Sequence, residues 1–193
     1  NTAATTQYVS LYVNGAQIPH TEREVYTETS ILNTSFPVMF QARVTGVLAA
    51  QAIDVRWRTT GGTATMHERT LVVQKITPAD VSEASATADT TTTSATDVQV
   101  SGMTLTPGAG DYLIWFSGSI SNPAAANLTE NVSLYVNGAQ VAHTEREIFV
   151  ENSLNVGNSF PVGLHAYVTG VGAAQVIDVR WRTTGGTATM HER

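Results

Sequence analysis

Cysteine is absent from the 193-residue chain, which removes disulfides, thiol nucleophiles and thiolate metal sites together. Lysine occurs once, at Lys75. With nine arginines against 16 acidic residues the formal net charge is -6, so no basic stripe can neutralise a phosphate backbone, and nucleic acid is excluded as a partner. No apolar run approaches the roughly 20 residues of a bilayer-crossing helix, so no membrane span is expected. No basic start followed by an apolar run reads as a secretion signal. A convincing 3.6-residue period is missing throughout. The best helix candidate, the stretch PADVSEASATAD, has too few large apolar residues to bury a face. Also missing are a nucleophile elbow, a triad-like local signature and a phosphate-binding glycine loop. The chain is therefore not expected to be an enzyme, and no catalytic, cofactor-binding or metal-ligating residue is assigned.

What is present is enough apolar residue, 42%, to build a core, and 29 threonines. Threonine-rich, lysine-poor composition with only 13% charge suits β-structure facing an external medium, which points to an extracellular, cell-surface or virion location.

The chain repeats itself. Val9–Glu28 and Val132–Glu151 share 15 of 20 residues, and Ser35–Arg69 and Ser159–Arg193 share 29 of 35, including IDVRWRTTGGTATMHER in both copies. The offset changes from 123 to 124 between the blocks, so a one-residue indel falls in TSILNTS against NSLNVGNS, marking a surface loop. A period near 124 is a whole domain and not a solenoid repeat. The expected division is a first repeat over residues 1–76, represented by its C-terminal part. A linker or extended donor-like segment follows over 77–96, and then a second repeat over 97–193 that lacks the counterpart of its last strand, TLVVQKI (Thr70–Ile76). Either a longer repeat protein supplies the missing strands, or each chain completes its sheets with strands from a neighbour.

Within a unit almost every segment alternates with period two. In IDVRWR, Ile177, Val179 and Trp181 share one face, and Asp178, Arg180 and Arg182 the other. Asn14-Gly15 and Asn137-Gly138 stand between apolar runs, the pattern of a type I′ hairpin. YLIWFSGSI, FPVGLHAYVTGV and TLVVQKI supply further strands. About eight strands per unit indicate an all-β antiparallel sandwich or jelly roll.

The sequence GDYLIWFSGSIS followed by VSLYVNGAQ, with Gly110, Tyr112, Phe116, Leu134, Asn137 and Gly138, resembles the C1q/TNF-like jelly roll. The resemblance implies trimeric, non-enzymatic recognition modules, as on animal secreted proteins, bacterial spores and phage fibres.

Two clusters carry ligand-type residues. His20, Glu22 and Glu24, repeated from His143, would share a strand face and could serve a metal if a third ligand arrived from a neighbour; the alternative is a solvated charge ladder. Met66-His67-Glu68-Arg69, repeated at His191, is expected to pair across strands with Asp54, Arg56 and Arg58. Trp57 and Trp181 are in phase with apolar residues and are expected in the core, while the three tryptophans with Trp115 could otherwise form a sugar-stacking face. Asn33, Asn127 and Asn131 head glycosylation sequons. The expected function is a structural or adhesive repeat of a fibre, filament or virion surface that self-associates as a homo-oligomer, fibre or trimer, through strand pairing and bead-to-bead packing and with donor-strand exchange as an option. A receptor- or carbohydrate-binding module, with a cell-surface glycan or receptor as partner, is the alternative.

Overall fold

The computed structural model of the chain describes residues 5–27, 36–67, 69–77, 80–124, 127–150, 159–191 and 193. Within these residues it is all-β. The first unit contributes β1 (Thr5–Val13), β2 (Ala16–Gln17), β3 (Arg23–Thr27) and β4 (Ile53–Thr59). The second contributes β5 (Thr90–Thr92), β6 (Val98–Leu105), β7 (Gly110–Ser121), β8 (Leu128–Val136), β9 (Ala139–Gln140), β10 (Arg146–Val150), β11 (Ser159–Val171), β12 (Ile177–Thr183) and β13 (Ala188–Met190). No helix among the described residues is long and apolar enough to cross a membrane.

The second unit is a jelly-roll sandwich. Antiparallel strands alternate between a sheet ordered β11-β7-β13-β5 and one ordered β10-β8-β12-β6. Period-two alternation points Val100, Phe116, Ile120, Val132, Leu134, Leu164, Val179 and Trp181 into the space between the sheets, where they form one buried cluster. Trp181 is 1% exposed. Both Asn-Gly pairs take the double positive φ of a type I′ turn, at 48° and 83° for Asn14-Gly15 and at 50° and 81° for Asn137-Gly138.

The first unit repeats only half of this. Strands β1, β2, β3 and β4 correspond to β8, β9, β10 and β12 and pair alike, with Val9 opposite Trp57 as Val132 is opposite Trp181. Residues 36–47, whose twins form most of β11, and 64–66, whose twins form β13, are not strands. The reason lies in the sheet order. In the second unit β11 and β13 each pair with β7 and not with one another, and the first unit has no β7 counterpart within these 193 residues. Without that central ladder their backbone groups find no sheet partner.

Three expectations are corrected. TLVVQKI is not a strand: Thr70–Ile76 has no ladder and stands open, Val72 being 81% exposed. Trp57 is 45% exposed because no second sheet closes over it. The segment 77–96 carries β5 at its end, and Ala86 exchanges two backbone hydrogen bonds with Arg193 (2.8 and 3.0 Å), so the second sandwich takes in chain upstream of residue 97. The indel segments fall largely outside the described residues.

Candidate functional site at the junction of the two units

The sequence His-Thr-Glu-Arg-Glu builds the same corner twice. His20 and His143 sit in a left-handed turn with φ of 67° and 64°, not on a strand, so the shared face expected for His20, Glu22 and Glu24 does not form. The next residue closes the corner: Thr21 Oγ1 donates to Ile18 O (2.8 Å) and accepts from the Leu11 N–H (3.1 Å). Thr144 does the same with Val141 and Leu134. Arg23 Nη1 then donates back to His20 O and Glu22 O, and Arg146 Nη1 to His143 O and Glu145 O. The motif is a structural corner whose product is a positioned guanidinium. No group of three His, Asp or Glu residues able to hold a metal occurs among the described residues.

What differs is where the other side of that guanidinium points. Arg23 Nη2 reaches across to the second unit and donates to Ser117 Oγ (2.7 Å) and Ser117 O (3.2 Å), with Arg23 only 1% exposed. The Glu24 N–H donates to Ser119 Oγ at 3.4 Å. Ser117 and Ser119 lie on the outer face of β7, since Phe116 and Ile120 point inward. The contact is widened by an edge-to-face pair of Phe36 and Phe160 (5.5 Å) and by Met39, which lies against Gly163. The first unit thus uses its β3 edge to dock on the β7-β11 face of the second. Sequence reasoning missed this, because nothing local distinguishes Arg23 from Arg146, which is half-exposed.

The outer charges also differ from expectation. Arg56 pairs with Asp54 in its own strand and Arg58 with Glu22, so Met66–Arg69 supplies none of the described partners; Glu68 lies outside the described residues. The second unit repeats these pairs as Arg180–Asp178 and Arg182–Glu145 and adds Asp97. Asp97 accepts from Tyr135, whose hydroxyl pKa is pushed up to about 12 by burial and by that bond. Hydrogen bonding to Glu145 and Asp97 holds Arg182 more firmly charged. Arg193 is buried and donates to Ser101 O and Ala88 O; burial lowers its pKa.

His191 is joined to Ser121 Oγ through Nε2 (2.9 Å) and to Asp89 Oδ1 through Nδ1 (3.1 Å). The connectivity is that of an acyl-transfer relay, assembled from three distant segments and so invisible to a local motif search. Neither main cavity is lined by any of the three residues, and the trio ties the β5 lead-in to β7 across the end of β13. Of the sequon residues, Asn131 is buried beside Glu145, which leaves no room for a glycan; Asn33 lies outside the described residues.

Glu130 is the other buried titratable group. It is fully buried, and its Oε1 accepts from Asn122 (2.7 Å) and Thr183 (3.2 Å) while its Oε2 finds no partner. Burial raises its pKa, against the lowering effect of those two bonds. A raised folded-state pKa contributes stability that is present below the unfolded carboxylate range and lost as pH rises through the folded value. The twin position holds Gln7. Glu130→Gln is therefore expected to raise stability at pH 7, with the difference closing as the pH falls towards the ordinary carboxylate range. Thermal melts of both proteins across that range check it; a difference that does not change with pH would refute the assignment.

No known family profile and no curated protein matches the chain. Among solved structures, the chain is similar to one from "Structure of infectious bursal disease virus Gx strain", with 11% identity over 97% of this chain and a TM-score of 0.21. The present chain spans 55% of the length of that viral chain.

Proposed function

We propose that the chain is a non-catalytic, self-assembling structural module of an extracellular, cell-surface or virion array, built from tandem C1q/TNF-like jelly-roll beads. The observation that carries this reading is the Arg23–Ser117 contact. It is heterologous: the donor corner of one unit meets the β7 face of the next, and the second unit presents the same corner again at Arg146. A contact of two different surfaces leaves one of each free at the ends, so equal units add head to tail, in a line wherever the rotation between them does not close a ring. The strand order of the second unit supports the jelly-roll resemblance. The absence of Ser121, His191 and Asp89 from both main cavities supports a non-catalytic role.

The test is a polypeptide carrying one further repeat after Arg193. Arg146 then docks on the added β7 face, small-angle scattering shows a stiff rod longer by one unit, and Arg146→Ala turns the rod into a flexible pair. An added unit that tumbles independently with Arg146 intact overturns the reading. Ester turnover that depends on Ser121 would overturn its non-catalytic part.

A further inference from the structure

We infer that one position addresses the contact between units: Met39 is a knob and Gly163 its hole, so the β7-β11 face accepts a neighbour whose residue at that position is unlike its own. The inference rests on the self-assembling reading above and names the neighbour that each unit accepts.

The two copies differ where they dock. Between Phe36–Val47 and Phe160–Val171 four pairs differ: Met39 and Gly163, Phe40 and Leu164, Gln41 and His165, Arg43 and Tyr167. Gly163, His165 and Tyr167 stand opposite Ser117, Trp115 and Leu113 of β7. With Ser117 on the outer face, period-two alternation sets all three there, whereas Leu164 is fully buried in the core. The face that receives the first unit thus carries three of the four differences. The residues that make β12 and β13 are the same in both copies.

Gly163 has no conformational reason to be glycine. It lies inside β11, its φ is not among the positive ones, and it keeps its place in the ladder opposite Ser117. A glycine in a strand interior costs stability and marks a close approach by another group. Here that group is Met39. A Cβ added at 163 would lie 3.3 Å from Met39 Cβ and 3.5 Å from Met39 Sδ, and would take the place of its terminal methyl. The hole adjoins the polar part of the contact, since Ser117, directly across the ladder, accepts from Arg23 at 2.7 Å.

The Arg23 corner recurs at Arg146 and cannot tell one unit from another. The knob can. Residues 39 and 163 are counterparts, so every unit uses this position both to dock and to receive. Two methionines would need the same volume, and two glycines would leave it empty. One of each fills it, from whichever side the methionine comes. Units with methionine and units with glycine therefore alternate along the array.

The chain has no cysteine, so labels can be placed cleanly. Spin labels at Ala16→Cys and Ala139→Cys, exposed positions of β2 and β9, report the distance between the units by pulsed electron resonance. The unaltered chain is expected to give one narrow distance. Gly163→Met lowers the docked-to-undocked ratio at least about tenfold. Met39→Gly lowers it at least about threefold, a smaller loss because Met39 is still 37% exposed. The double swap Met39→Gly/Gly163→Met restores the narrow distance, which also shows that methionine at 163 leaves the second sandwich folded. A Gly163→Met chain that keeps the narrow distance, or a double swap that docks no better than Gly163→Met alone, would overturn the proposal. Arg23→Ala with the same labels tests the contact itself. If the distance stays narrow without Arg23, the docking reading fails and this inference with it; if it broadens while the swaps change nothing, only this inference fails.

Discussion

Trp181→Ala is expected to cost about 3–5 kcal/mol, and Trp57→Ala about 1 kcal/mol or less, although seventeen residues around the two tryptophans are identical. Trp181 is 1% exposed between two sheets, packed in the cluster with Val100, Val132 and Leu164. Removing the indole takes away its transfer energy and leaves a cavity that strands held on both sides cannot collapse. β12 is such a strand, paired with both β8 and β6. Trp57 lies on β4, paired with β1 alone, and is 45% exposed, so much of its surface is already in water. Urea unfolding of both variants, followed by circular dichroism, checks the pair. Equal losses would mean that the first unit is closed over Trp57 in solution.

Gly186→Ala is expected to cost about 2–5 kcal/mol. Gly186 has a φ of 66°, where alanine carries roughly 1–2 kcal/mol of strain. An added Cβ would also lie 2.6 Å from the Ala124 Cβ and 2.7 Å from Asn122 Oδ1. Asn122 cannot yield, because it is fully buried and its Nδ2 donates to Glu130 (2.7 Å) and Gly185 O (3.0 Å). Overpacking of this kind adds about 1–3 kcal/mol. Gly62, with a φ of 64°, is the internal control, and Gly62→Ala reports the strain of the same turn in the other unit. Thermal melts of the two variants decide whether the neighbours of Gly186 matter. If Gly186→Ala loses no more than Gly62→Ala, the contact with Asn122 contributes nothing.

Much of the fold is legible in the sequence. Alternation in YLIWFSGSI and FPVGLHAYVTGV marked β7 and β11, and the Asn-Gly pairs marked both hairpins, because each signal is carried by residues that interact within one or two strands. The candidate site was not legible. Arg23 and Arg146 stand in the same pentapeptide and make the same bonds to their own corners, and only the arrival of Ser117 distinguishes them. The Ser121–His191–Asp89 trio was hidden for the same reason: its members are 70 and 102 residues apart.

The local sequence by itself determined the turns. Positive φ recurs at twin positions even where the strands do not: Gly46 and Gly170 at 70° and 69°, and Ala50 and Ala174 at 67° and 65°. Thr59 and Thr183 close identical turns onto Gly61 O and Gly185 O. Backbone sterics and hydrogen bonds within a few residues suffice for this. Tertiary structure alone decided which apolar runs became strands. FPVGLHAYVTGV pairs with β7 and is β11, while FPVMFQARVTGV, eight of its twelve residues the same, has no β7 beside it and forms no strand. A strand's hydrogen bonds and half of its burial belong to its neighbours, so the same residues fold differently when the neighbour is missing.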